Sequence, residues 1–154
     1  MSLVSAHLAP SSPAIRLAEA ETLGLLVKDG LVIAAGDWNA APAAGTCFPP
    51  AGVSPAQARR KLDRRAACAI EEAGFTDVGA RAGSLTPTVG YGEPGQLAYR
   101  CDRIYTTLPA QAIAGFEVIT DAEPESDHRP VVAVFDLAAA TEVAEDVPAA
   151  EAVR

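Results

Sequence analysis

Leu31-Val32-Ile33-Ala34-Ala35-Gly36-Asp37-Trp38-Asn39 is the stretch on which the fold turns. Five consecutive apolar residues leave no polar face, which predicts a short strand in the middle of a sheet, covered on both sides. The strand runs straight into Gly36-Asp37-Trp38-Asn39, so polar groups stand at its end, where α/β sheets gather their ligands. Upstream, Leu3–Leu8 reads as a second strand, with Val4, Ala6 and Leu8 on one face and Ser5 and His7 on the other. Ser12-Pro13 starts a helix that runs to about Lys28 and stops at Asp29-Gly30. Downstream, 40–53 is a Pro/Gly/Ala-rich loop. Ser54-Pro55-Ala56-Gln57 then caps a helix running to about Ala73, with Gly74 as its stop. Residues 75–97, punctuated by Gly79, Gly83, Pro87, Gly90, Gly92, Pro94 and Gly95, read as one long exposed loop. Strands follow over Tyr99–Thr107, Phe116–Thr120 and Val131–Leu137.

The chain has 154 residues and 15.8 kDa, enough for one domain with a real core. That domain is placed at 1–137, and 138–154, with four acids and one arginine, reads as a disordered acidic tail. Aromatics are only 5%, while alanine supplies about a fifth of the chain. The core is therefore expected to consist of Ala, Val, Leu and Ile rather than rings. The net charge of −8 gives no general attraction to nucleic acid or anionic membrane. No run approaches the roughly 18 apolar residues of a membrane span. Three cysteines at wide spacing and no visible signal peptide fit a reduced, cytoplasmic chain. Arg59, Arg60, Lys61, Arg64 and Arg65 concentrate five of the twelve bases on the second helix, either as a solvated face or as a contact for phosphate.

The residues able to carry chemistry stand near strand ends: His7, then Asp37 and Asn39, then Ser126-Asp127-His128. Asp102 interrupts the strand 99–107, where an acid is costly unless paired, and Arg100 and Arg103 are the adjacent candidates. Each group also has a plain structural use, since Asx side chains form turns. Together they suit metal-assisted attack of water on a phosphate ester. Asp37 and Asp127 offer hard oxygens to magnesium, Asn39 offers a neutral donor to phosphate, a histidine can move a proton, and Asp102 could hold one imidazole in a fixed tautomer.

Val4-Ser5-Ala6-His7-Leu8-Ala9-Pro10, Gly36-Asp37-Trp38-Asn39, Gly74-Phe75-Thr76-Asp77, Arg100-Cys101-Asp102-Arg103-Ile104 and Ser126-Asp127-His128-Arg129-Pro130 follow one another in the order found in the endonuclease/exonuclease/phosphatase superfamily. The chain resembles the C-terminal half of that family's pancreatic deoxyribonuclease-like fold. The resemblance implies an α/β (α+β) chain with a mixed sheet, forming half of a four-layer β-sandwich with outer helices. It further implies that Asp127 contacts Mg2+ or Mn2+, and that His128, oriented by Asp102, transfers a proton or binds phosphate. Asp37 would position or activate water and help hold the metal, Asn39 would bind phosphate, and His7 would assist there or at the leaving group.

Family members carry a first half that supplies an Asn and a metal-binding Glu, and no Glu here stands in for it. Glu19, Glu21, Glu71 and Glu72 fall on helices, and Glu117 lies on a late strand. The expectation is thus a fragment with an incomplete site, binding the metal weakly. A sheet face without a partner points to a homodimer or to a separate first half. The implied function is a divalent-metal-dependent phosphoester hydrolase acting on nucleic acid, an inositol phosphate or a lipid headgroup. The alternative is a non-catalytic binding or assembly module that keeps the motifs.

Overall fold

The computed structural model describes residues 1–26, 30–45, 47–92, 94–121 and 126–140. Its elements in chain order are β1 (Ser2–His7), α1 (Pro13–Leu26), β2 (Val32–Asp37), α2 (Pro55–Lys61), α3 (Arg65–Glu72), β3 (Thr76–Asp77), α4 (Val78–Arg81), β4 (Asp102–Thr106), β5 (Ile113–Val118) and β6 (Val131–Phe135). A four-stranded sheet has the order β1-β2-β4-β3, and β5 and β6 form a separate antiparallel pair. The larger sheet is mixed: β1 runs parallel to β2, while β2–β4 and β3–β4 are antiparallel. β2 is central, as its unbroken apolar run demands.

α1 and α3 pack together and cover one face of this sheet, where Val32, Ala34 and Tyr105 meet Ala20, Ala66 and Ile70. On the opposite face, Phe135 of β6 packs with Leu31, Ile33 and Leu108. The core is not the ring-free one expected from composition. Trp38 and Tyr105 are fully buried, edge to face with centroids 4.7 Å apart, and Phe75 and Tyr99 are buried with them. Few rings are present, but half of them are buried, where each removes a large apolar surface from water, while Phe48 is exposed.

Ser12 and Ser54 cap α1 and α2 as predicted, their hydroxyls accepting from the Ile15 and Gln57 backbone N–H groups. The helix predicted from Pro55 to Ala73 is broken in two. Asp63 accepts from the Arg65 backbone N–H and guanidinium, and this local bonding competes with helical continuation. The stop at Gly74 is as expected, with φ +99°. The long loop is more structured than its glycines suggest, since it contains β3 and α4. Its last part also bridges Val89 to Tyr99. Residues 137–140 are helical with Ala140 buried, so these positions do not belong to a disordered tail, and 141–154 lie outside the described residues. No helix among the described residues is long and apolar enough to cross a membrane.

Two apolar surfaces stand open. Leu3 on β1 is 75% exposed, and Val132 and Val134 on the outer face of β6 are 45% and 57% exposed.

A buried ion pair holds α4 to the strand region. Arg100 donates to both oxygens of Asp77 at 3.1 and 2.9 Å, and Asp77 also caps α4 through the Ala80 N–H. Both side chains are nearly inaccessible. Asp77→Ala leaves a buried guanidinium uncompensated and is expected to cost about 3–5 kcal/mol in urea unfolding. A loss below about 1 kcal/mol would contradict this role for the pair.

Candidate active site

Strand register brings the first three polar groups together. His7 pairs with Asp37 across β1–β2, and Asp37 pairs with Asp102 across β2–β4, so the three stand in one row at one sheet end. Gly36 makes this possible. Its φ is +151°, and a Cβ there would lie 1.8 Å from the Ala6 carbonyl oxygen, so only glycine lets β1 and β2 approach beside Asp37. Beyond the row, Asn39 takes the left-handed conformation at φ +48°, which asparagine tolerates.

The turn fixes the Asp37 carboxylate. One oxygen accepts from the Asn39 backbone N–H at 2.8 Å and the other from the Asn39 side-chain amide at 3.0 Å. The same amide nitrogen donates to the Leu8 carbonyl at 3.1 Å. Both amide hydrogens of Asn39 are thus engaged within the chain, and its Oδ1 accepts from the Lys61 ammonium at 3.3 Å. His7 is exposed, with Nε2 3.7 Å from Asp37.

Asp102 pairs with neither neighbouring arginine. Arg100 is bound to Asp77, while Asp102 meets His128 Nδ1 at 3.0 and 2.9 Å. Facing a carboxylate, Nδ1 carries the proton, which leaves Nε2 free for a ligand. The His128 loop is braced from the other side. Arg129 donates to the Thr88 and Pro87 carbonyls and stacks 3.8 Å above the Tyr91 ring, and Tyr91 Oη donates to the Ser126 carbonyl. Thr88 Oγ1 accepts from the backbone N–H groups of both Cys101 and Asp102. Cys101 Sγ lies 3.3 Å from Asp102 and 3.9 Å from His128 Nδ1. Burial, followed by the nearby Asp102 and Asp37 carboxylates, pushes this thiol far up, so it stays protonated.

Asp37, Cys101, Asp102 and His128 each offer a ligand atom, all within 4.8 Å of one another. They adjoin a cavity of about 440 Å³ whose lining includes Asn39, Gln57, Lys61, Tyr99, Asp127 and His128. Five of the residues singled out in the sequence, His7, Asp37, Asn39, Asp102 and His128, therefore converge. Asp127 is exposed on the cavity rim and outside the four-residue group. Sequence reasoning missed Thr88, Cys101, the Tyr91–Arg129 brace and the placement of Lys61. Lys61 carried a signal as a member of the basic run, and Cys101 and Arg129 stood inside quoted motifs without a role of their own, whereas Thr88 and Tyr91 carried none.

No protein-family model matches the chain, and a search of curated proteins returns no match. Solved structures do match. An AP endonuclease from Archaeoglobus fulgidus is 25% identical at a TM-score of 0.64, over 87% of this chain and 61% of its own. A 3′-5′ exonuclease from Neisseria meningitidis is 24% identical at 0.63, over 87% and 60%. A mannosyl-6-phosphatase from Bacteroides thetaiotaomicron is 20% identical at 0.55, over 86% and 51%. The chain thus spans at most about three-fifths of the length of these structures.

Its burial and raised pKa protect Cys101. Iodoacetamide is expected to label the half-buried Cys47 and Cys68 in the native protein and Cys101 only after denaturation, read by peptide mass spectrometry. Equal labelling of all three in the native state would contradict the described environment.

Proposed function

We propose that this chain, which belongs by fold to the endonuclease/exonuclease/phosphatase superfamily, supplies the His7, Asp37, Asn39, Asp102, Asp127 and His128 portion of a divalent-metal-dependent phosphoester hydrolase. The observation that carries this reading is the row His7–Asp37–Asp102 facing an imidazole whose Nδ1 is held by Asp102.

The neighbouring carboxylates of Asp37 and Asp102 suit a hard cation, which Asp37, with Asp127 from the cavity rim, would hold. When bound, the cation polarises the phosphoryl group and offsets its charge. The chain's own residues do the rest. Asp37, oriented on both oxygens by Asn39, accepts a proton from the attacking water. His128 Nε2 faces a phosphoryl oxygen, while Asp102 holds the ring and stabilises the imidazolium. His7 stands beside Asp37, with Nε2 3.7 Å from its carboxylate, and donates a proton to the leaving group in this reading. Nucleic acid is the first substrate class in this reading, since a Neisseria 3′ phosphatase and a D. rerio TDP2 of similar fold are known as complexes with DNA products. Inositol phosphates and lipid headgroups follow.

A second reading rests on the open apolar surfaces at Leu3 and at Val132/Val134. The β5–β6 pair packs on the main sheet through its inner face only, and an exposed apolar strand face marks an interface. In this reading the chain works within a larger assembly, either with a second copy of itself or with a chain that completes the sheets. A monomer by multi-angle light scattering that unfolds cooperatively would count against it.

The hydrolase reading is tested with Mg2+ and bis(p-nitrophenyl) phosphate. Asp37→Ala and His128→Ala are each expected to lower kcat/KM by about 10²–10⁴-fold. Activity that ignores both substitutions would remove the reading.

A further inference from the structure

The five bases of the second helical region have separate placements. Arg65 pairs with Asp63, and Arg64 donates to the Ala43 carbonyl in the loop beyond Asn39. Arg59 and Arg60 are exposed. Lys61 alone lines the site cavity, one helical turn after Gln57, which lines it too. It is half-buried and, among the described residues, forms no ion pair. Its only polar partner there is the neutral Asn39 oxygen.

The position is held from behind. The buried Arg16 guanidinium donates to the Ala9 and Pro10 carbonyls and to the carbonyl of Arg60, tying the end of α2 to the segment that follows His7. Leu62 packs against the buried Leu97 and Tyr99 cluster. Asp127 lines the same cavity, but among the described residues no carboxylate pairs with the Lys61 ammonium, and a partly desolvated ammonium held by a neutral oxygen alone favours an anionic ligand. Its other structural use would be to complement the C-terminal end of the helix dipole, but Arg59 and Arg60 in the same turn serve that equally and point elsewhere. The expected phosphate donor, Asn39, has both amide hydrogens engaged by Asp37 and Leu8.

We propose that Lys61 is an anion subsite of this cavity: its ammonium, positioned by Asn39, binds a non-bridging oxygen of the substrate's phosphoryl group. This rests on the phosphoester reading for the identity of the anion. Asn39 then acts as a positioning residue between Asp37 and Lys61, and Lys61 supplies the charged donor.

The test compares wild type, Lys61→Met, Lys61→Arg and Arg59→Gln for binding of inorganic phosphate in metal-free buffer, by calorimetry. Thermal melts confirm folding, and hydrolysis is measured on the same preparations. Lys61→Met is expected to weaken phosphate binding at least about tenfold, Lys61→Arg by about threefold or less, and Arg59→Gln by about twofold or less. No phosphate binding by wild type, unchanged binding in Lys61→Met, or an equal loss in Arg59→Gln would overturn the subsite. Lys61-dependent phosphate binding without hydrolysis would keep the subsite and remove the hydrolase reading. Hydrolysis with kcat/KM and phosphate binding both unmoved by Lys61→Met would do the reverse.

Discussion

The register of β2 between β1 and β4 is the constraint on which the site depends. Side chains along a strand alternate with period two, so a slip of one residue would turn Asp37 away from His7 and Asp102. Gly36 holds that register where it matters, because any Cβ would strike the Ala6 carbonyl and push β1 away. The fully buried Val32 and Ala34, the apolar residues before it, lock the other end of the strand into the core. One short segment therefore specifies both the central strand and the point at which chemistry is presented.

This arrangement concentrates negative charge. Ligand atoms of Asp37 and Asp102 lie within 4.8 Å of each other. Two full charges at that separation repel by about 3 kcal/mol at an effective dielectric of 20. The His128 imidazole and the Asn39 donors offset part of this, and Lys61 and a divalent cation fit what is left. The braces around the site have the same logic. The Asp77–Arg100 pair, Thr88 and the Arg129–Tyr91 stack hold the 78–100 segment and the 126–130 loop, so that His128 meets Asp102 in a fixed geometry. Such support is what the proposed proton-transfer role of His128 requires.

Much of this was legible because it is local. Unbroken apolar residues announced β2, serine caps announced α1 and α2, and the clustering of His7, Asp37, Asn39 and His128 near strand ends, with Asp102 inside a strand, followed the order of motifs in a known family. What escaped was tertiary. The Asp63 carboxylate, bonded to Arg65, broke a helix that the sequence ran from its Ser54 cap to the Gly74 stop. β3 and α4 formed inside a glycine-rich stretch because Asp77 found Arg100, a partner 23 residues away. Asp102 passed over two adjacent arginines for a histidine 26 residues distant. Four of the eight aromatic rings, Trp38, Phe75, Tyr99 and Tyr105, lie in the core despite their scarcity, since composition counts residues without locating them. Lys61 was one of five bases read either as a solvated face or as a phosphate contact, and the fold brings it alone of the five to the cavity.

The most direct test of the central claim is paramagnetic broadening by Mn2+ in the amide NMR spectrum, which registers even weak binding. The account predicts that substoichiometric Mn2+ first broadens His7, Asp37, Asn39, Asp102, Asp127 and His128, leaving the Ser2–Val32 end of the sheet sharp. Broadening that begins at acidic surface positions away from this row, or that spares Asp37 and Asp102, would contradict it.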